Sequence, residues 1–345
     1  MKTKLAIGVL VAAVAVICPL GASAATYTPL PAHVFAPYYE TYLGSATPSI
    51  TSTAQSSGAK YFTLAFIQSA GKGSCTPTWN GDKSQPIGSA AYGSDIRSLQ
   101  AAGGDVIPSF GGYSADQGGT EIADSCTDVS KIAAAYESVI TTYGVTRLDM
   151  DVEAKSLNNT AGIDRRNKAI ALTEQWAKAN GIPLQIQYTL PVEPQGLEAN
   201  GEAVLQNAVS DGATVDSVNI MVFDYYQRKA GTVDMGSAAT MAADNTHTEL
   251  ASIFPSLTSA QRWTMLGLTM LPGIDDFPKK TEVTSLADAN TMLGFARQNG
   301  LNFLSIWAIQ RDNGGCPGTT DSNTCSGITQ NTWDFSHELE PFTGS

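Results

Sequence analysis

The chain repeats one local order, helix then glycine then strand, along nearly its whole length. Ser57-Gly58 precedes the run Tyr61–Gln68, Gly103-Gly104 precedes Asp105–Phe110, and Tyr143-Gly144 precedes Thr146–Val152. Asn180-Gly181 precedes Leu184–Leu190, Asp211-Gly212 leads to Ser217–Phe223, and Asn299-Gly300 precedes Phe303–Ala308. A glycine just past a helix end takes the left-handed conformation that stops the helix. Its recurrence before β-branched or aromatic runs therefore marks αβ turns. His33–Tyr39 adds a strand ahead of the series, and Thr264–Leu271 adds one after the helical stretch Ser237–Phe254. A closing helix is expected near Asn331–Leu339. Eight strands alternating with helices, without a linker, predict an α/β fold: a single-domain TIM (β/α)8 barrel over residues 25–345. A doubly wound open sheet is the runner-up, but no phosphate-binding glycine fingerprint follows the first strand.

Residues 1–24 read as a secretory signal peptide, so the protein is expected to be secreted. Lys2 and Lys4 give a positive start, Leu5 to Ile17 an apolar core, and Ala22-Ser23-Ala24 a small-residue cleavage site. That apolar run is too short for a membrane span, and no membrane partner is expected. An apolar share of 43% with 15% charged residues excludes disorder. The formal net charge of −12 makes nucleic acid a poor partner. Beyond the signal stand Cys75, Cys126, Cys316 and Cys325, with three pairings open in principle. The last two bracket a loop rich in Gly, Thr, Ser and Asn, which favours a local bridge and leaves Cys75 with Cys126. No Cys-x-x-Cys occurs and His33, His247 and His337 are scattered, so disulfides are expected rather than a metal site. Neither a metal nor a cofactor is expected, and the chain is expected to act as a monomer.

The fourth predicted strand carries Leu148-Asp149-Met150-Asp151-Val152-Glu153. With a strand period of two, all three acids point to one face and Leu, Met and Val to the other. An amphipathic strand with one face in water is the plain reading. Helical patterns on both sides, Ala133–Tyr143 and Ile163–Asn180, argue instead for a parallel strand covered on both faces. Three acids there are costly unless they share protons, hydrogen-bond or do chemistry. The longest irregular pieces, 69–91, 111–128, 223–236 and 310–330, follow strands, which is the barrel end where sites are built. Glu153 lies at that end of its strand.

These residues resemble the second half of the Asp-x-x-Asp-x-Asp-x-Glu signature of glycoside hydrolase family 18, the chitinase family. Ser109-Phe110-Gly111-Gly112 resembles its Ser-x-Gly-Gly motif, and Asn219 to Asp224, with Met221, its Met-x-Tyr-Asp segment. Trp307 sits where the family keeps a tryptophan under the reacting sugar. Two positions depart: Thr146 replaces the first Asp of the signature, and Phe223 replaces the Tyr before Asp224. Tyr225, Tyr226 and Tyr188 are the alternative sources of the lost hydroxyl.

The resemblance implies a retaining, substrate-assisted hydrolase in which Glu153 is the general acid/base and Asp151 and Asp149 complete the catalytic set. Asp224, Trp307, Ser109, Gly111, Gly112, Met221 and Tyr225 are then the expected substrate-binding residues, with Gly111 and Gly112 leaving room beside the sugar. Tyr38, Tyr39, Tyr113, Trp79 and Trp263 are candidate further sugar platforms, with a structural role favoured for each. Asp275-Asp276 and Arg311-Asp312 are rim groups without assigned partners, and Glu193 after the fifth strand is open between a place in the cleft and a solvated one. Only 272–284 lies between the seventh strand and its helix, too short for the α+β insertion many family members carry. An open cleft and endo cleavage of chitin or N-acetylglucosamine oligosaccharides follow. The alternatives are an endo-β-N-acetylglucosaminidase on N-glycans or peptidoglycan and, from another class, a catalytically silent chitin-binding lectin.

Overall fold

The structure, a computed structural model, describes residues 27–46, 48–226, 233–276, 281–320 and 322–345. The expected signal, residues 1–24, lies outside them. The chain opens with β1 (Val34–Phe35), β2 (Tyr38–Glu40), α1 (Ile50–Ser57), β3 (Tyr61–Ser69) and β4 (Pro77–Trp79). There follow α2 (Ser94–Ala101), β5 (Asp105–Gly111), α3 (Tyr113–Gly118), α4 (Ile122–Ser125), α5 (Val129–Tyr143) and β6 (Arg147–Asp151). The middle of the chain gives α6 (Thr160–Ala179), β7 (Gln185–Glu193), β8 (Gly196–Leu197), α7 (Ala199–Asp211) and β9 (Ser217–Met221). The last part holds α8 (Met235–Ile253), α9 (Ser259–Trp263), β10 (Leu266–Met270), β11 (Gly273–Ile274) and β12 (Val283–Thr284). It ends with α10 (Leu286–Asn299), β13 (Phe303–Ile306) and α11 (Asp334–Leu339).

The parallel strands run in the order β1, β13, β10, β9, β7, β6, β5, β3, β2. Both ends of that order belong to the first predicted strand, which is broken at Ala36-Pro37. The Ala36 N–H reaches Leu304 O at 3.0 Å, while Pro37 O accepts the Thr63 N–H at 3.0 Å. One broken strand therefore closes the barrel. Proline has no N–H to give, so the change of partner falls there. The eight-strand expectation holds. Between β10 and α10 the described residues contain only the short β11–β12 pair, so a single domain without an inserted α+β unit is what the chain forms.

Local signals set the helix ends. Asp128 caps α5 through the Ser130 and Lys131 N–H groups, and Asn159 caps α6 through Gly162. Gly144 and Gly300, at φ +68° and +71°, stop α5 and α10 in the left-handed conformation. Outward-facing Leu148, Met150, Ile186, Leu190, Ile220 and Leu268 are fully or almost fully buried against the helices.

The barrel interior is layered. At its base Val34, Ala36, Ile107 and Phe303 form an apolar plug. Gly267 lies beside it because a Cβ there would stand 2.6 Å from Phe303 Cβ. Above the plug the lumen is polar, with Ser109, Asp149, Gln187, Thr189, Asn219 and Thr269 all buried. Tyr38, Phe66 and Trp307 roof that layer. Both expected disulfides are present, Cys75–Cys126 and Cys316–Cys325. Among the described residues no helix is long and apolar enough to cross a membrane.

Candidate active site

The register of the sheet places the acids. Ser109 pairs with Asp149 and Gly111 with Asp151 across β5 and β6; Gln187 and Thr189 of β7 flank the same two aspartates on the other side. Asp149 is fully buried and accepts four side-chain hydrogen bonds. Ser109 Oγ donates to Oδ2 at 2.6 Å and Tyr38 Oη to Oδ2 at 2.9 Å. Thr189 Oγ1 donates to Oδ1 at 2.7 Å and Gln187 Nε2 to Oδ1 at 3.1 Å. Burial pushes this carboxyl up, and the four donors pull against it.

Asp151 is the opposite case. It is 3% exposed, and its Oδ1 is buried with no hydrogen-bond partner among the described residues. Burial first, then the charges of Glu153, Asp149 and Asp116, hold its carboxyl well above the usual range. Glu153 follows just beyond the end of β6. Burial raises its carboxyl to about 7, opposed by a hydrogen bond from the Tyr113 backbone N–H. Three acids on one strand face thus meet three environments: saturated, unsaturated and half-open.

Asp151 and Glu153 lie on the wall of a cleft of about 800 Å³ at the C-terminal rim. Trp307 lines it, stacked on Phe66 with ring centroids 5.5 Å apart and edge-on to Tyr38 at 5.4 Å. Both Phe66 and Trp307 adjoin non-proline cis peptides, Ala65-Phe66 and Trp307-Ala308. Met221, Phe223, Asp224 and Tyr226 line the cleft from the end of β9, Glu193 from the end of β7 and Glu198 from just beyond β8. Asp224 stands at φ +54° and Ala154, next to Glu153, at φ +46°. Non-glycine residues in that region are strained, and such strain gathers at functional rims. The Asp224 N–H donates to Asp275 Oδ2 at 2.9 Å; burial, then Asp275, pushes the Asp224 carboxyl up to about 9.

Several expected positions are placed differently. Tyr225 is only 2% exposed and off the cleft, its N–H donating to Glu282 Oε2 at 2.9 Å. The positive φ values of Asp224 and Tyr226 break strand alternation there and turn Tyr226, not Tyr225, into the cleft. Tyr188 faces the helices and donates to Asn167 Oδ1 at 2.8 Å, so the hydroxyl missing from Phe223 is not replaced from there. Gly111 and Gly112 lie beneath the lining, and the space they leave is taken by protein. A Cβ on Gly111 would stand 2.1 Å from Asp151 O, and one on Gly112 2.6 Å from the Phe66 ring. Ser109 is likewise beneath, bound to Asp149. Thr146 sits at the barrel base, its Oγ1 donating to Thr28 O at 3.1 Å.

Of the aromatics read as structural, Trp79 and Tyr39 are buried, with hydrogen bonds to Tyr143 Oη and Pro48 O respectively. Trp263 stacks on His247 outside the barrel, centroids 3.9 Å apart. Tyr38 serves Asp149, and Tyr113, 62% exposed, lines the cleft. Among the rim groups, Asp276 pairs with Arg311 at 3.3 Å, and Asp312 receives the Phe335 and Ser336 N–H groups of α11. Phe66, Gln68, Asn80 and Glu198, absent from the sequence-based set, line the cleft as well. Among the described residues no group of three or more His, Cys, Asp or Glu is arranged to hold a metal ion.

Comparison with known proteins agrees with this geometry. The family described as "Glycosyl hydrolases family 18" matches residues 34–270. The probable bifunctional chitinase/lysozyme of Escherichia coli K12 is 33% identical over 322 residues, which is 91% of this chain and 35% of that protein. Endochitinase 11 of Metarhizium anisopliae is 32% identical over 288 residues, 82% of this chain and 53% of that protein. The chain therefore spans about a third and about half of these two relatives. Active domain 2 of a Pyrococcus furiosus chitinase, solved as catalytic site mutants, is 30% identical with a TM-score of 0.78, covering 91% of this chain and 96% of that one. With the barrel, the acid-bearing strand and these likenesses in agreement, the chain belongs to glycosyl hydrolase family 18.

Proposed function

We propose that the protein is a secreted chitinase that cleaves β-1,4 bonds of N-acetylglucosamine polymers within the chain and with retention of configuration. The observation that carries this reading is the acid pair at the cleft: Glu153 held near 7 and Asp151 with a buried, unengaged oxygen. A general acid at neutral pH must keep its proton, and burial does this for Glu153. Its proton goes to the glycosidic oxygen as the C1–O bond breaks. The substrate's acetamide oxygen attacks C1 from the other face and forms an oxazolinium. Asp151 Oδ1 accepts the acetamide N–H and stabilises the positive charge that develops. Asp149, saturated by four donors, fixes the base of the ladder. Glu153, now a carboxylate, takes a proton from the water that opens the ring at C1. Two inversions give retention. Trp307 on Phe66 offers a flat apolar floor to the sugar at that site.

A Pyrococcus furiosus domain complexed with chito-oligosaccharides, 30% identical with a TM-score of 0.77, supports the substrate class. The name of the Escherichia coli relative, chitinase/lysozyme, gives peptidoglycan as the second reading. The test is product analysis, with anomer ratios, on soluble N-acetylglucosamine hexamer and on peptidoglycan for the native protein and Glu153→Gln. Internal cleavage of the hexamer to β-anomers, lowered about 10³-fold in the variant, is expected. Undiminished cleavage by Glu153→Gln refutes the mechanism. Disaccharide released from one end only refutes the endo assignment.

A further inference from the structure

Glu153 lies where the sheet no longer holds the chain. The β5–β6 ladder ends at the Gly111–Asp151 pair, and on the other side the last bond runs from the Val152 N–H to Thr189 O at 3.0 Å. The next N–H, that of Glu153, goes to a carboxylate: Asp116 Oδ2 accepts it at 2.5 Å. Asp116 sits on α3, whose first residue, Tyr113, gives its own N–H to the Glu153 carboxylate. A single helical turn therefore holds the acid's backbone and stands beside its head.

Asp116 has little other employment. It is 1% exposed, and its N–H is bound to Gly112 O at 3.1 Å. Its Oδ1 is buried without a hydrogen-bond partner among the described residues and lies 3.4 Å from where a Gly111 Cβ would stand. The nearby charges are Glu121 and Arg166, themselves a buried ion pair at 3.1 Å, together with Asp151 and Glu153. A buried carboxyl with one idle oxygen costs stability wherever it stands. Here the cost falls beside the two acids of the cleft, and the engaged oxygen does one thing, which is to hold the Glu153 main chain.

We infer that Asp116 is a positioning residue for Glu153, fixing the acid's backbone in place of a missing ladder bond. This rests on the proposed role of Glu153. The contact needs an acceptor oxygen rather than a charge, so Asp116→Asn should preserve it and Asp116→Ala should abolish it. On N-acetylglucosamine hexamer, Asp116→Asn is expected to keep kcat within about 3-fold of native. Asp116→Ala is expected to lose about 10- to 100-fold in kcat with KM within about 2-fold, because misplacing the reacting group by about 1 Å costs that much while the cleft walls stay. Hydrogen–deuterium exchange at the Glu153 amide reads the same contact without substrate: slow in the native protein and Asp116→Asn, at least about 10-fold faster in Asp116→Ala.

Undiminished kcat in Asp116→Ala, a loss in Asp116→Asn as large as in Asp116→Ala, or a change confined to KM would each overturn the inference. Should Asp116→Ala fail to fold, Asp116→Asn decides alone: near-native kcat with a protected Glu153 amide supports positioning, and a loss beyond about 10-fold overturns it. A native protein that leaves the hexamer intact sinks the proposed function, while the exchange measurement still judges the Asp116 contact.

Discussion

Glu153→Gln should stabilise the fold, and only above acid pH. Burial raises the Glu153 carboxyl from 4.5 to about 7 against the pull of the Tyr113 N–H. At 1.36 kcal/mol per pH unit, its anion costs the folded state about 3 kcal/mol. A folded pKa above the unfolded one favours folding below 4.5, and that advantage is lost as pH rises to about 7. Glutamine does not titrate, so the variant escapes the loss. Relative to native, it should gain nothing between pH 4.5 and any lower value, then gain about 3 kcal/mol across the window and keep it above. Unfolding entropies near 2.1 cal/mol/K per residue convert this to a Tm difference of about 5 °C for a chain of this length. Calorimetry of both proteins from pH 4 to pH 8 measures it. Raised groups that the Glu153 charge does not act on, such as Glu40 at about 7 and Asp105 at about 6, cancel in the comparison. The same titration sets the alkaline limb of activity: kcat/KM should fall about tenfold per unit above pH 7 as the acid loses its proton. A Tm difference that is flat across pH, or larger in acid, would refute the burial argument.

Three further outcomes follow from the packing around the site. Ser109→Ala removes the 2.6 Å donor to Asp149 and leaves that buried carboxylate with three, at a cost of about 1.5–3 kcal/mol in urea unfolding. Gly111→Ala should cost more than about 4 kcal/mol and prevent accumulation of folded protein, since its Cβ would stand 2.1 Å from Asp151 O at φ +105°. Replacing Cys75 and Cys126 by serine opens a 51-residue separation, worth about 4 kcal/mol of chain entropy, against about 3 for Cys316 and Cys325 at a separation of 9. Urea unfolding of the two double variants under non-reducing conditions should rank them in that order.

The barrel was legible because its signals are local and repeated. A glycine after most of the helices and a hydrophobic run after each such glycine need no knowledge of distant partners, and a period of two puts Asp149 and Asp151 on one face whatever surrounds them. What sequence spacing missed depends on contacts across the fold or on single backbone angles. Tyr38 reads as one more aromatic in a strand, and its hydroxyl meets Asp149 only because the barrel closes through the break at Pro37. Asp116 and Glu153 are 37 residues apart, and nothing in either segment announces the other. Tyr225 and Tyr226 exchange places with respect to the cleft through positive φ at Asp224 and Tyr226, which no composition rule supplies. Ser-x-Gly-Gly suggests room for a sugar beside its glycines, whereas the space is taken by the Asp151 carbonyl and the Phe66 ring.

The ladder on β6 can be read from its base upward as one gradient. Arg147 at the bottom is buried and bound to Gln185 Oε1, with burial lowering it to about 10. Two residues on, Asp149 has every lone pair engaged; two further, Asp151 has an oxygen with no partner; two further still, Glu153 faces the cleft. The same strand period that aligns the four side chains also fixes how many neighbours each has, because donors from β5 and β7 run out towards the rim. On the proposed mechanism, chemistry is confined to the top for that reason. A proton placed on Asp149 would compete with four donors, while one on Asp151 or Glu153 relieves an unsolvated charge. The departures at Thr146 and Phe223 fit this order. Thr146 lies below the gradient, where it bonds Thr28, and Phe223 lies on the cleft wall beside it. Neither touches how protons are held on the strand, so on the proposed mechanism the departure at Phe223 bears on how the acetamide is gripped and not on the reaction class.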